Sequence, residues 1–481
     1  MKGFTRRDFM KCSVAAGVAM AVPFSRVRGA NDAVRVAVVG CRSKGGQHIG
    51  VFRKLSGVRV VALCDVDREI LDKHVSKITS ENETVEAYTD VRKVLDDPGI
   101  DAVVVATPNH WHALVTVWAC QAGKDVYVEK PASHDVWEGI KMVEAARKYK
   151  RIVQTGTQNR SDVGLREAVD YIKQGNLGKI LWAHGLWFKL RPSIGHVTGP
   201  QQVPPNIDYN LWTGPAPYKP LRRKRLHYDW HWFWDTGNGD MGNLGAHQVD
   251  DCRWILGQTG LPERVISIGG RFGYVDDGQT PNTQLAIYDY KPAPLILELR
   301  GLPMQKGVRG SDTYRGTRSG NIIQCEHGYF VGGRGGGWAY DNDGNKIKQF
   351  KGDGGAGHQE NFIKAVRSRK PGDLHAEIHE GHISAMLCHI ANISYRLGWE
   401  SSVQQVNESL QNCKPALETF ERIQQHLAAN EVNLEHTPVI RGPWLSWDQR
   451  KGRFVGDFPA CWANEMLRRQ YRKPFVIPEK V

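Results

Sequence analysis

One stretch near the N-terminus limits what this chain can fold into: Val34-Arg-Val-Ala-Val-Val-Gly-Cys-Arg-Ser-Lys-Gly-Gly46. It reads as a buried parallel strand that enters a tight, glycine-bearing turn and then a helix over 46–55. Such a turn lets backbone approach a phosphate closely, and the helix N-terminus offers free N–H groups to its oxygens. A second buried strand, Val60-Val-Ala-Leu-Cys-Asp65, ends in a carboxylate. A carboxylate there accepts hydrogen bonds from both ribose hydroxyls of an adenosine and repels a 2′-phosphate. The spacing describes a dinucleotide fold and favours NAD over NADP. Read as G-x-G-x-x-G, the turn has Gly40 first and Gly45 third, with Arg42 in the middle place, where it adds a cation near the pyrophosphate. Gly40, Arg42, Ser43, Gly45 and Asp65 are therefore candidate cofactor residues.

With 481 residues the chain is long enough for two domains. A hydrophobic content of 41% and a charged content of 24% are those of a globular protein. The net charge of +13 raises the question of nucleic acid. The Lys and Arg are scattered, however, and no nucleic-acid motif or basic run occurs, so the charge reads as a solvated basic surface. None of the nine cysteines forms C-x-x-C, and neither a disulfide framework nor a zinc site is expected. His375, His379 and His382 have helical spacing but read as a polar helix face rather than a metal site.

Thr5-Arg-Arg-Asp-Phe-Met-Lys11 precedes the modest apolar run 12–24. Paired arginines, Phe and a short apolar stretch make a twin-arginine export signal over residues 1–30. The run is too short for a membrane span, so no stable span is expected after cleavage. The expectation is a partnership with the twin-arginine export machinery, which carries folded proteins with cofactor inside, and a periplasmic or extracellular location.

Residues 33–155 alternate strand and helix, as a doubly wound Rossmann sheet does. Asp101–Thr107, Lys124–Val128 and Ile152–Thr155 are further strands, and a helix is expected over 68–78. Ligands bind at the carboxyl ends of such strands. Thr107, Pro108, Asn109, His112, Glu129, Lys130 and Gln158 all lie at or just after strand ends. Residues 156–370 read as an α+β substrate and oligomerisation domain built on a large open, mostly antiparallel sheet. Its expected strands are 179–190, 264–274, 284–290, 295–302 and 321–331, with a hairpin turn at Asp343-Gly344. An irregular insert occupies 192–240. Residues 371–481 are expected to form helices (376–396 and 407–430) and an ordered tail packed on both domains.

Lys130 lies between a buried strand and Pro131. At the nicotinamide end of such a fold it can hydrogen-bond a substrate hydroxyl and help move its proton as hydride leaves the same carbon. Glu129 orients the lysine or the cofactor. The second constellation runs from His227 through Trp230-His-Trp-Phe-Trp-Asp235 to Gly242-Asn-Leu-Gly-Ala-His247. Its aromatics suit the C–H faces of a pyranose, so His231, Trp232, Trp234 and Asp235, with Arg160, are candidate substrate residues. Asn243 and His247, four apart, share one face of a helix and offer an amide and an imidazole that exchanges protons near neutral pH.

The Gly40–Gly45 turn, Thr107-Pro-Asn-His-Trp-His112, Glu129-Lys-Pro131 and Gly242-Asn-Leu-Gly-Ala-His247 together resemble the Gfo/Idh/MocA oxidoreductase family over roughly residues 33–400. The resemblance implies NAD, tightly bound and recycled, a sugar or cyclitol substrate, and Lys130 and His247 as catalytic residues. The family commonly has Asp four residues before the histidine. Here Asn243 stands there, and either the relay is shorter or Asp235 or Asp240 substitutes. The chain is similar to an exported branch that includes NAD-dependent glycosidases of the α-N-acetylgalactosaminidase type. Those enzymes oxidise C3, lose the C2 proton, eliminate the aglycone, add water and return the hydride. A sugar-binding protein on a dead Rossmann scaffold is the reading from a different class; retention of both Lys130 and His247 speaks against it. A homo-oligomer is expected from the open sheet.

Overall fold

The computed structural model describes residues 33–457 and 459–481. The twin-arginine segment, residues 1–30, lies outside the described residues. Among the described residues no helix is long and apolar enough to cross a membrane.

The first domain is a six-stranded, wholly parallel sheet. Its strands are β1 (Val34–Val39), β2 (Val58–Cys64), β3 (Glu86–Tyr88), β4 (Ala102–Val105), β5 (Asp125–Val128) and β6 (Val153–Thr155). They lie in the order β3-β2-β1-β4-β5-β6. β1, β4 and β5 are almost continuous apolar runs because helices cover both sheet faces. The order reverses between β1 and β4, which opens a crevice at their carboxyl ends. Helix α1 (Ser43–Phe52) begins three residues earlier than the sequence suggests and so comes straight out of the glycine turn. Helix α2 (Arg68–Ser80) is capped by Asp67, and helix α3 (Asn109–Gln121) starts directly after β4.

The second domain is built on a twelve-stranded sheet. From one edge it runs β14 (Lys346–Lys351), β13 (Gly336–Tyr340), β12 (Gly328–Gly333), β11 (Ser319–Cys325), β7 (Ile180–Phe188), β10 (Leu295–Arg300), β9 (Thr283–Tyr288) and β8 (Arg264–Gly270). All of these pairings are antiparallel except β7 with β10. The stretch expected as one strand over 321–331 is the hairpin β11–β12, turning at Glu326–His327. Gly328 opens β12 with φ +157°, and a Cβ there would meet Tyr340 O at 2.1 Å. The helix expected over 407–430 is two helices, Val403–Leu410 and Lys414–Ala429. Pro415 in the first turn of the second cannot continue a helix from upstream, because it lacks the N–H and its ring clashes with the preceding turn.

Helix α4 (Ala246–Leu256) packs on β7, and helix α5 (Ile378–Arg396) lies against α4, β8 and the first domain. The C-terminal segment touches both domains. Val439–Arg441 and Leu445–Asp448 pair with β8, whereas Phe475, Ile477 and Val481 are buried in the core beneath α3.

Candidate active site

A cavity of about 440 Å³ lies at the carboxyl ends of β1 and β4 and runs to the second-domain sheet. Gly40 forms its inner edge with φ +84°; a Cβ there would sit 2.7 Å from Ala106 O, so only glycine lets β1 and the β4 loop approach so closely. A Cβ on Gly45 would meet Gly40 O at 1.7 Å. Gly45 therefore does not line the cavity; it lets α1 pack on the turn. Arg42 and Ser43 do line it, and Ser43 takes φ +37°, a strained conformation of the kind found at ligand clamps. Asp65 ends β2. Its carboxylate accepts from the backbone N–H groups of Cys41 at 2.7 Å and Asp67 at 3.0 Å. Burial raises its pKa, and these two bonds oppose the rise.

Thr107, Pro108 and Asn109 line the cavity at the N-terminus of α3, and the Thr107 hydroxyl is buried without a protein partner. His112 also borders it, but both of its ring nitrogens face carbonyl groups, Pro131 O at 2.7 Å and Thr107 O at 2.8 Å. It ties the β4 and β5 loops together. Glu129 is held by His48 at 2.8 Å and Lys44 at 3.7 Å. Burial alone would raise its pKa, but the His48 hydrogen bond and the Lys44 charge keep it well below the usual carboxylate range. Gln158 lines the cavity with a buried Oε1 that has no protein partner.

At the second-domain end stand Lys130, Asn243, His247 and His231. The Lys130 ammonium donates to the main-chain oxygen of Asn243 and lies 3.5 Å from its Oδ1. Asn243 Nδ2 in turn reaches Asp240 Oδ1 at 3.3 Å, which turns the amide oxygen toward the lysine. Asp240 is ion-paired to Arg191 at 2.6 Å. Of the two carboxylates the sequence offers as substitutes for the family Asp, Asp240 is thus the one beside Asn243. Burial lowers the Lys130 pKa; Glu129 opposes this and Lys44 adds to it. His247 is 8% exposed, and its Nδ1 is buried without a protein partner. Burial, then the Lys130 charge, pushes its pKa down to about 3, so the ring is neutral at physiological pH. Asn243 does not sit on a regular α-helix. It lies in a π-helical turn, Met241–Gly245, that leads into α4, a distortion frequent at functional sites. His231 Nδ1 lies 2.6 Å from Tyr228 O. That contact requires an N–H on Nδ1 and leaves Nε2 as an acceptor.

Four candidate substrate residues lie elsewhere. Arg160 is buried, with its guanidinium bidentate to Asp250 at 2.8 and 2.9 Å and 3.1 Å from Glu380. It is a structural ion pair between the β6 loop and α4. Trp232 is buried beneath the Arg191 guanidinium, 5.1 Å from its ring centre. Trp234 and Asp235 line a different cavity of about 310 Å³, beside His134 and Arg396. A 3-10 turn over Trp230–Trp232 followed by extended Phe233 sends alternate aromatics to different sides. Of this aromatic stretch, Trp230 and His231 face the active-site cavity. Sequence reasoning missed Lys44, Lys189, Arg334, Trp212, His227 and Tyr228, all of which line it. Lys44 was readable in the glycine turn. Arg334, in the β12–β13 turn, has no local signal, since only the sheet order brings it there.

A doubly wound, dinucleotide-type sheet thus has Lys130 and His247 at the mouth of its cavity. Residues 34–157 match the family model described as an oxidoreductase family, NAD-binding Rossmann fold, and residues 179–270 match its C-terminal alpha/beta domain. These two segments are thus similar to the two halves of the Gfo/Idh/MocA oxidoreductase family. It is 28% identical over 310 residues to a glycosyl hydrolase family 109 protein of Shewanella baltica, covering 62% of this chain and 58% of that one. A second such protein, from Shewanella sp. strain MR-7, is 27% identical over the same lengths. The match thus spans less than two thirds of these relatives. Among solved structures, the fold is shared with the WlbA dehydrogenase of Bordetella pertussis, crystallised with NADH and UDP-GlcNAcA. That likeness has a TM-score of 0.55 and 19% identity, and covers 75% of this chain and 96% of that one. GenD2 from gentamicin A biosynthesis, in complex with NAD, gives a TM-score of 0.54 and 18% identity over 76% and 95%.

Proposed function

We propose that this protein is an NAD-dependent oxidoreductase that oxidises a carbinol carbon of a sugar, glycoside or cyclitol, with its cofactor tightly held and recycled. The observation that carries this reading is the convergence of Lys130 and His247 on one cavity whose other end is the Gly40–Asp65 dinucleotide cradle. The cradle fits NAD: Gly40 leaves room where a Cβ would collide, Asp65 would accept from the ribose hydroxyls, and the hydroxyl of Thr107 and the amide oxygen of Gln158 are buried without a protein partner. When bound, NAD supplies the hydride acceptor.

The chain's own residues manage the proton and the position. The Lys130 ammonium, steered by the Asn243 amide, donates a hydrogen bond to the substrate oxygen and stabilises negative charge as it develops there. The neutral His247 imidazole accepts the hydroxyl proton as the hydride leaves the same carbon. Asn243 carries no proton; it is a positioning residue. The Arg42, Lys44 and Arg334 cations line the same cavity and favour the pyrophosphate.

The family 109 relatives favour a second reading, a redox-neutral glycosidase. In it, the same proton and hydride steps at C3 acidify the C2 proton, the aglycone leaves, water adds, and the hydride returns. Working after twin-arginine export, in the periplasm or outside the cell where free NAD is scarce, suits either form of recycling. The open second-domain sheet is the face proposed for self-association.

The test is to denature purified protein, quantify released NAD(H) and NADP(H), and assay aryl glycosides and sugar pairs with and without added NAD. Stoichiometric NAD is expected. Lys130→Ala and His247→Ala are expected to abolish turnover while NAD stays bound. Full activity in both overturns the site assignment, and a protein that binds no NAD at all overturns the reading.

A further inference from the structure

The insert that follows β7 does not simply border the cavity. Between residues 203 and 232 it crosses from the second domain to the β2 end of the Rossmann sheet and is fastened there around Asp67. The Asp67 carboxylate accepts from Asn206 Nδ2 at 2.6 Å and pairs with His227 Nε2 at 2.8 Å. On the backbone, Asp67 and Ile207 form an antiparallel bridge. The Arg68 N–H donates to Asn206 O at 3.0 Å, and the Asp208 N–H to Val66 O at 3.2 Å. Asp67 is 3% exposed. Its own N–H donates to Asp65 Oδ1 at 3.0 Å, so the fastening point is bonded to the carboxylate placed at the ribose.

The segment is also packed on itself. Ile207, Trp212, Leu221, Leu226 and Trp230 bury one another in a small core of their own, and Val66 of the Rossmann domain packs against it. From behind, the C-terminal tail holds it: Arg472 donates to Asn210 Oδ1 at 2.7 Å, to Asn210 O at 2.8 Å and to Gly214 O at 3.0 Å. Trp111 Nε1 of α3 donates to Leu211 O at 3.1 Å. The inward side of this fastened segment, Leu211, Trp212, His227 and Tyr228, lines the cavity that Gly40 and Asp65 line from the opposite domain.

We infer that residues 203–232 are a cofactor-retaining clamp, the outer wall of the site for the adenosine half of a pyridine dinucleotide, latched through Asp67 to Asn206 and His227. The inference rests on the dinucleotide reading above and adds to it a structural reason for retention. A nucleotide held between the two walls leaves only when the latch opens, so exchange is slow while turnover proceeds with the clamp shut.

The test compares the full-length wild type with Asn206→Ala and His227→Ala, both on the clamp side, because Asp67 also caps α2. Protein loaded with NADH is mixed with excess NAD, and the dissociation rate is read from the loss of protein-bound NADH fluorescence. Thermal melts check that each variant is folded. The wild type is expected to keep NADH through gel filtration, and each variant to release it at least tenfold faster. Release from the variants at the wild-type rate overturns the clamp and leaves the proposed function standing; rapid release from a wild type that still turns over on added NAD overturns the clamp and the tight retention of cofactor, and leaves only NAD-dependent oxidation standing. Failure of the folded wild type to bind NADH at all overturns both.

Discussion

At the scale of single residues the site turns on what Asn243 does in place of an acid. Its amide bridges Asp240 and Lys130, with Nδ2 3.3 Å from one and Oδ1 3.5 Å from the other. Asn243→Asp puts a carboxylate at that bridge. An opposite charge beside an ammonium favours its charged form and raises its pKa by about 1 unit or more. Lys130 starts from a pKa lowered by burial. If its ammonium is the hydrogen-bond donor in turnover, the alkaline limb of the kcat/KM profile moves to higher pH by about 1 unit in the variant. A limb that stays in place means that another group titrates there. Asn243 was legible as a site residue because it lies four before His247 in a glycine-rich stretch. Its bonding to Asp240 was not, since that depends on a π-helical turn that spacing alone does not announce.

At the scale of elements, the sequence was most readable where one face rule governs a whole segment. The strands of the first sheet are buried on both faces and so are plain apolar runs, and the ligand-bearing loops follow from where those runs end. It was least readable where a residue's role is set by a partner far along the chain. Arg160 stands in a polar turn after a strand, as a ligand residue would, yet its partner is Asp250 on α4. The clamp latch joins Asn206 to a residue 139 positions away. The aromatic stretch was misread for a local reason, because a 3-10 turn scatters side chains that a regular strand or helix would align. The Arg160 assignment is directly testable. Removing one partner of a buried ion pair costs about 3–5 kcal/mol, since the other charge is left uncompensated. Arg160→Met is therefore expected to lower folding stability by about that amount in urea denaturation, with little change in substrate KM for the folded enzyme. A large rise in KM without loss of stability would return Arg160 to the substrate site.

At the scale of the whole molecule, the distinctive feature is how many imidazoles the fold keeps neutral. His110, His247, His382 and His389 are buried, and burial, the leading cause in each, pushes their pKa down to about 3. His358 is pushed down to about 4 in the same way. In the unfolded chain each titrates near about 6.5. Between pH 6.5 and 4 the unfolded state therefore binds a proton at each of these sites that the folded state does not. Stability falls as pH falls through that window, by up to about 1.4 kcal/mol per pH unit for each ring. Buried carboxyls whose pKa is raised act in the opposite sense. Asp135 is pushed up to about 7 by burial and Glu138, and Asp251 to about 7 by burial and Asp250. Below pH 7 the folded state holds a proton on each that the unfolded state, down to about pH 4, does not. Burial lowers His231 to about 3 and His426 to about 4 as well and raises Asp65, so the imidazoles outnumber the carboxyls and leave a net excess of protons on the unfolded chain. The expected result is a melting temperature that is flat above about pH 7 and drops steeply from pH 6.5 to 5, in buffers of matched ionic strength. The loss should arrive before the carboxylates of the buried ion pairs titrate, because burial opposed by Arg160 holds Asp250 below the ordinary carboxylate range. His382→Asn removes one imidazole remote from the nucleotide cavity and should flatten the slope by about one proton. A melting temperature unchanged between pH 7 and 5 would mean that the folded and unfolded chains bind equal numbers of protons there, and would overturn the excess of neutral imidazoles.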